Sequence, residues 1–200
     1  MEMKRERSYK RKSAHKSSNL IIVFCEGENT EPSYFNRFSR QESRLKIELY
    51  SPDESNPNNT PEGLLKRAKR YKKTNDLRND DSIWLVFDSD KNTDEDLMRV
   101  RQSADAHHIY LSQSNPCFEV WLYYHYFNCA PSDAPTDQVG WKIYLGQRVP
   151  GGLDYEECYK HASEAIENAE KNFSMDANGL PTLYSTECHK LVESILELQR

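Results

Sequence analysis

The chain lacks several features, and each absence removes a class of protein. None of its 200 residues fall in a run approaching the ~18 consecutive apolar positions of a membrane span. The basic, polar N-terminus has no apolar stretch of signal-peptide type, so a cytosolic protein that does not enter membranes is expected. The five cysteines form no CxxC pair and no zinc-finger spacing, which excludes the common structural zinc sites. They read as reduced, mostly buried thiols. Internal repeats, low-complexity tracts and recognisable base-reading motifs are also missing.

Charge is plentiful but unevenly placed. The formal net charge is −5, yet residues 1 to 16 hold seven Lys or Arg against two Glu. This basic tail, taken as residues 1–18, is expected to be mobile and suited to nucleic acid or to solubility. The length fits one domain with a substantial core.

Leu20 to Cys25 is a continuous apolar run without polar alternation, as expected for a strand buried on both faces of a parallel sheet. Glu26 to Asn29 makes a turn, and Thr30 is expected to cap a helix with Tyr34, Phe35 and Phe38 inward. Leu45–Tyr50 reads as a second strand, and Thr60 with Pro61 starts a helix. That helix carries six basic residues, Lys66, Arg67, Lys69, Arg70, Lys72 and Lys73, either a solvated face or a phosphate-backbone contact. Ile83 to Phe87 forms a third strand ending in Asp88, Thr93 caps the next helix, and Ile109 to Leu111 gives a short fourth strand. Asn115 and Pro116 are expected to open a deeply buried helix, CFEVWLYYHYF.

The boundaries expected from this pattern are an α/β core over 19–128, a long loop over 129–152 containing an exposed WKIYLG, and helices over 153–200 packed on the core. Two amphipathic helices are expected in that last segment.

Two strands end in acids: LIIVFC in EGENTE, and WLVF in DSD. In parallel sheets the usable site lies beyond the carboxyl ends of the strands. If these two strands are neighbours, ~4.8 Å apart, Glu26, Asp88 and Asp90 come within mutual reach. Carboxylates so close repel unless a cation joins them, and an all-oxygen set selects Mg²⁺ or Mn²⁺ over zinc. Helix caps or solvated turn acids remain the plainer explanation for Asp90 or Glu31 alone. Gly27 is expected to let the chain turn sharply after Glu26. Glu119, amid apolar neighbours on a buried helix, needs either a metal or a salt-bridge partner. His125, on the same helix, is open between a ligand and a satisfied core histidine.

The set EGENTEPSYF, VFDSD and SNPCFEVWLYYH, in this order, resembles the RloB-like family. The likeness continues more faintly through GWK and TECHKLVESI, and so spans residue 20 to about 196. It implies a Toprim-like fold, as in topoisomerases, primases and metal-dependent nucleases: a mostly parallel central sheet flanked by helices, with a C-terminal helical extension. It further implies that Glu26 acts in acid–base catalysis or metal binding and that Asp88 and Asp90 bind Mg²⁺. Glu31 and Glu119 fall on acidic positions of the family pattern as ligands for a second ion. Lys142 falls on a basic, catalytic position, although WKIY is less lysine-rich than that pattern, and His189 also aligns.

The expected function is therefore a Mg²⁺- or Mn²⁺-dependent nuclease. The resemblance adds anti-phage defence and an ATPase partner protein. The rival reading is a nucleic-acid-binding module of the same fold without turnover. An aspartyl phosphatase of the haloacid dehalogenase type, prompted by DSDKNT, is disfavoured because its nucleophilic Asp should end the first strand.

Overall fold

The computed structural model describes residues 19–40, 45–52, 58–149 and 151–199. The basic tail and most of the loop between the second strand and its following helix lie outside the described residues.

Strands β1 (Asn19–Cys25), β2 (Leu45–Tyr50), β3 (Ser82–Asp88) and β4 (Tyr110–Ser114) form one sheet, parallel throughout, in the order β2-β1-β3-β4. β1 and β3 are neighbours, with Cys25 opposite Val86, so the two acidic strand ends lie side by side. β4 is longer than the sequence indicated. Its polar residues Ser112, Gln113 and Ser114 are buried, and they read as loop because nothing in their composition marks a strand.

The two central strands send alternate side chains into two separate cores, which is why their sequences carry no polar alternation. Ile21, Val23, Cys25, Trp84 and Val86 face one core; Leu20, Ile22, Phe24, Ile83, Leu85 and Phe87 face the other. Helices α2 (Pro61–Thr74) and α3 (Asp94–Asp105) cover the second face with Leu64, Leu65, Ala68, Leu97, Val100 and Ala104. Thr60 and Thr93 cap them as expected, accepting from the Gly63 and Asp96 amides.

The first face is covered by α1 (Thr30–Phe35), α4 (Glu119–Tyr123), α5 (Gln138–Arg148), α6 (Tyr155–Lys160), α7 (Ala162–Lys171) and α8 (Cys188–Gln199). The layout is α/β with a C-terminal helix, consistent with a Toprim-like arrangement. No helix among the described residues is long and apolar enough to cross a membrane.

Several expectations change. Thr30 is the first residue of α1, not its cap. The CFEVWLYYHYF helix contracts to α4, and the chain beyond it runs to Phe127 in tight turns such as His125 N–H to Leu122 C=O. The expected long loop contains α5, and WKIYLG is its middle: Trp141 and Leu145 are fully buried while Ile143 is exposed. Asp137 caps this helix by accepting from Gly140 N–H. The first of the two closing helices is broken at His161 into α6 and α7. Four cysteines are buried, but Cys129 is exposed.

Candidate metal centre

The Glu26 amide donates to Val86 C=O at 2.9 Å, and the Asp88 amide donates to Glu26 Oε2 at 2.9 Å. Glu26 thereby ties the ends of β1 and β3 together. In the first turn of α1, Glu31 is buried and folds back to accept from Gly27 N–H at 3.1 Å. A methyl group at Gly27 would collide with that carboxylate. The chain bends over residues 26–29 as expected, and Gly27 serves that bend by supplying space, without a left-handed φ.

Asp88 is 3% exposed and Glu119 1%. Asp88 Oδ2 accepts from the Gln138 amide at 3.3 Å, while Glu119 Oε1 lies 3.9 Å from Lys142 Nζ. Asp88 Oδ1, Asp90 Oδ1 and Glu119 Oε2 are buried without a hydrogen-bond partner. Buried carboxylate oxygens cost several kcal/mol when unpaired, so three at one place call for a cationic or protonic partner.

The titration behaviour follows from burial and crowding. Glu26 is pushed up to about 7, first by desolvation, with Glu31 and Asp90 adding repulsion and Lys91 and the Asp88 amide opposing it. Glu31 is raised by burial and by Glu119. Asp88 is raised well above the carboxylate range by burial and then by Glu31, Glu26, Glu119 and Asp90. Glu119 is raised by burial, drawn back by the Cys117 thiol and Lys142.

Glu26, Glu31 and Asp88 border an open cavity of about 300 Å³ whose lining includes Gly27, Asn59, Lys91, Gln138 and Lys142. The donor set is all carboxylate, as a hard divalent cation prefers. Among the described residues no three His, Cys, Asp or Glu side chains already stand as a ligating group. Glu26 and Glu31 each give one carboxylate oxygen to a backbone amide. The unpartnered oxygens and the shared repulsion fit such an ion.

Of the sequence candidates, the structure brings together Glu26, Glu31, Asp88, Asp90, Glu119 and Lys142. His125 lies elsewhere, its Nδ1 paired with Trp121 C=O at 3.0 Å and its Nε2 with the Tyr34 hydroxyl at 3.1 Å. His189 pairs with Thr186 C=O at 2.7 Å and packs on Phe173. Neither ring lines the carboxylate cavity.

The basic residues of α2 do not line it either. Arg67 donates to Ser51 C=O, Lys69 to Ser103 and Lys72 to His107 C=O; Lys66, Arg70, Lys72 and Lys73 are exposed. Sequence reasoning missed Gln138, Lys91 and Asn59. Lys91 follows DSD directly and was open to view, but Gln138 was hidden by the mistaken loop.

A family model described as RloB-like protein matches residues 21–195. No curated protein and no solved structure matches the chain.

Proposed function

The chain belongs to the RloB-like family, and from that premise we propose that it is a Mg²⁺- or Mn²⁺-dependent nuclease acting on phosphodiester bonds of nucleic acid. The observation that carries this reading is the set of unpartnered, buried oxygens of Asp88 and Asp90 at the end of β3 and of Glu119 at the start of α4.

Glu26, Asp88 and Asp90 would hold one ion, and Glu31 with Glu119 would extend the set toward a second. Such an ion, when bound, lowers the pKa of water and offsets charge that builds on phosphate and leaving oxygens. Glu26, which ties the ends of β1 and β3 together, would serve either as a ligand or as the acid–base group toward water. Lys142 and Lys91 flank the cavity and meet phosphate charge. Gln138 steadies Asp88 through its amide, and it lies one turn from Lys142 on α5.

The exposed basic residues of α2 and the N-terminal tail supply contacts to nucleic-acid backbone. The family resemblance supports a role in anti-phage defence alongside an ATPase partner. A binding module without turnover is favoured by one observation, that Glu26 and Glu31 are engaged with backbone amides and not arranged as ligands.

Incubation of purified protein with plasmid, single-stranded DNA, tRNA and ribosomal RNA separates the readings. Cleavage with Mn²⁺ that stops in EDTA and in Asp88→Asn is expected; retention of every substrate intact, with binding preserved, would leave the binding module.

A further inference from the structure

The segment TECHK belongs to the family likeness but lines no part of the carboxylate cavity. Its residues are nonetheless held by specific bonds. Thr186 bridges to Ser114 in antiparallel fashion, and Glu187 N–H donates to Gln113 C=O at 2.8 Å, so the segment lies along the free edge of β4.

Glu187 is 2% exposed, and its charge is met twice. Arg101 of α3 donates to both of its oxygens, at 2.8 and 3.0 Å, and Lys190 lies 2.9 Å away. These cations hold the carboxyl below its usual range despite its burial. The same Arg101 Nη1 donates to Gln113 Oε1 at 2.9 Å. That bond fixes which end of the Gln113 amide is oxygen, and its nitrogen then donates to Ser89 Oγ at 2.8 Å.

Ser89 is the residue between Asp88 and Asp90. Its backbone amide donates to Ser114 and Pro116 carbonyls, and the Asp90 amide also donates to Pro116 C=O at 3.1 Å. The hydroxyl is therefore a side-chain anchor of the turn that carries both aspartates, beside Asn92, whose amide donates to Asp88 C=O at 3.1 Å.

We infer that Gln113, locked by the Arg101–Glu187 pair, is a positioning residue that holds the Asp88–Asp90 turn through the Ser89 hydroxyl. The inference rests on the metal reading of that turn for its purpose, but the mechanical claim stands on hydrogen bonds alone. Outer partners of metal ligands typically change metal affinity by 10- to 100-fold when removed.

Arg101→Gln would leave Glu187 buried beside Lys190 alone and can cost the fold, so the decisive variant is Ser89→Ala, which deletes only the terminal hydroxyl. Ser89→Thr, which keeps a hydroxyl, serves as the rescue. Two readouts on the full chain are needed: amide hydrogen exchange at residues 89 and 90 in EDTA, and Mn²⁺ affinity by calorimetry.

The expected result is exchange about tenfold faster in Ser89→Ala, Mn²⁺ binding about tenfold weaker, and recovery of both in Ser89→Thr, with the melting temperature of Ser89→Ala lowered only modestly as the Gln113 amide loses its acceptor. Unchanged exchange in Ser89→Ala would overturn the inference whatever the metal does. Faster exchange with undiminished Mn²⁺ affinity would also overturn it, because the anchor would then not serve the site. If the wild-type protein binds no Mn²⁺, the metal reading fails separately, and the exchange rates still decide whether Ser89 holds the turn.

Discussion

Glu119 sits among apolar neighbours on α4, and its two oxygens meet different surroundings. Oε1 has Lys142 at 3.9 Å, with the lysine side chain 56% exposed, while Oε2 has no partner. A cation so well hydrated is not stranded when Glu119 is neutralised. Glu119→Gln should therefore leave the melting temperature in EDTA equal or higher, since it removes a desolvated charge from a crowded anionic cluster. Stabilisation by Mn²⁺ should be lost. A drop worth ~3 to 5 kcal/mol in EDTA would instead mark a broken buried salt bridge.

Glu26 yields a pH prediction at the same scale. Its folded pKa is raised from 4.5 to about 7, chiefly by burial, so between these values the folded protein binds more protons than the unfolded chain. The stability this contributes is present below pH 4.5 and is lost as pH rises through 7. In EDTA, wild type should lose up to ~3 kcal/mol relative to Glu26→Gln across that window, since each pH unit between the two values is worth about 1.4 kcal/mol. Parallel denaturation curves for the two proteins from below pH 4.5 to above pH 7 would show it; a constant difference would mean that Glu26 titrates normally.

Among the elements, α5 does most to shape the site. Gln138 and Lys142 reach the carboxylates, while Trp141, Tyr144 and Leu145 seat the helix in the core. Trp141→Ala should cost ~3 to 5 kcal/mol in chemical denaturation, because its side chain is fully buried. Lys142→Ala should leave stability within ~0.5 kcal/mol, its pair with Glu119 being long and its side chain exposed.

This helix also marks where sequence reading stopped. The strands β1, β2 and β3 and the caps Thr60 and Thr93 were legible because apolar runs and capping residues are local signals. α5 was not, since Pro135 and Gly140 near its start and Gly146 inside it imitate a loop, and only tertiary burial of Trp141 compensates. The acidic site was legible at Glu26, Asp88 and Asp90 because strand ends in a parallel sheet converge. The Arg101–Glu187–Gln113 network was not, as its members lie on three elements that meet only in the fold.

At the scale of the whole molecule, charge is segregated. The seven basic residues of positions 1 to 16 stand against an acidic remainder. The segment is rich in charge and poor in apolar residues, so deleting residues 1 to 16 should leave the melting temperature unchanged. Nucleic-acid affinity should weaken, and the slope of log K against log salt should flatten by roughly 0.9 for each phosphate that the shortened chain leaves unneutralised. Fluorescence anisotropy between about 50 and 200 mM salt measures this, and an unchanged slope would assign the tail to solubility. The two faces of the sheet divide the labour, with α2 and α3 closing one side while α1, α4 and α5 bring the acids and Lys142 to the rim of the other.

The central claim is that the carboxylates at the ends of β1 and β3 bind a divalent cation. Calorimetric titration of Mn²⁺ into wild type and Asp88→Asn tests it most directly, since Asp88 is the buried acid that the other four surround. Wild type is expected to bind, and Asp88→Asn to bind about tenfold more weakly or worse, at an equal or higher melting temperature. Equal Mn²⁺ binding by the two proteins would contradict the account.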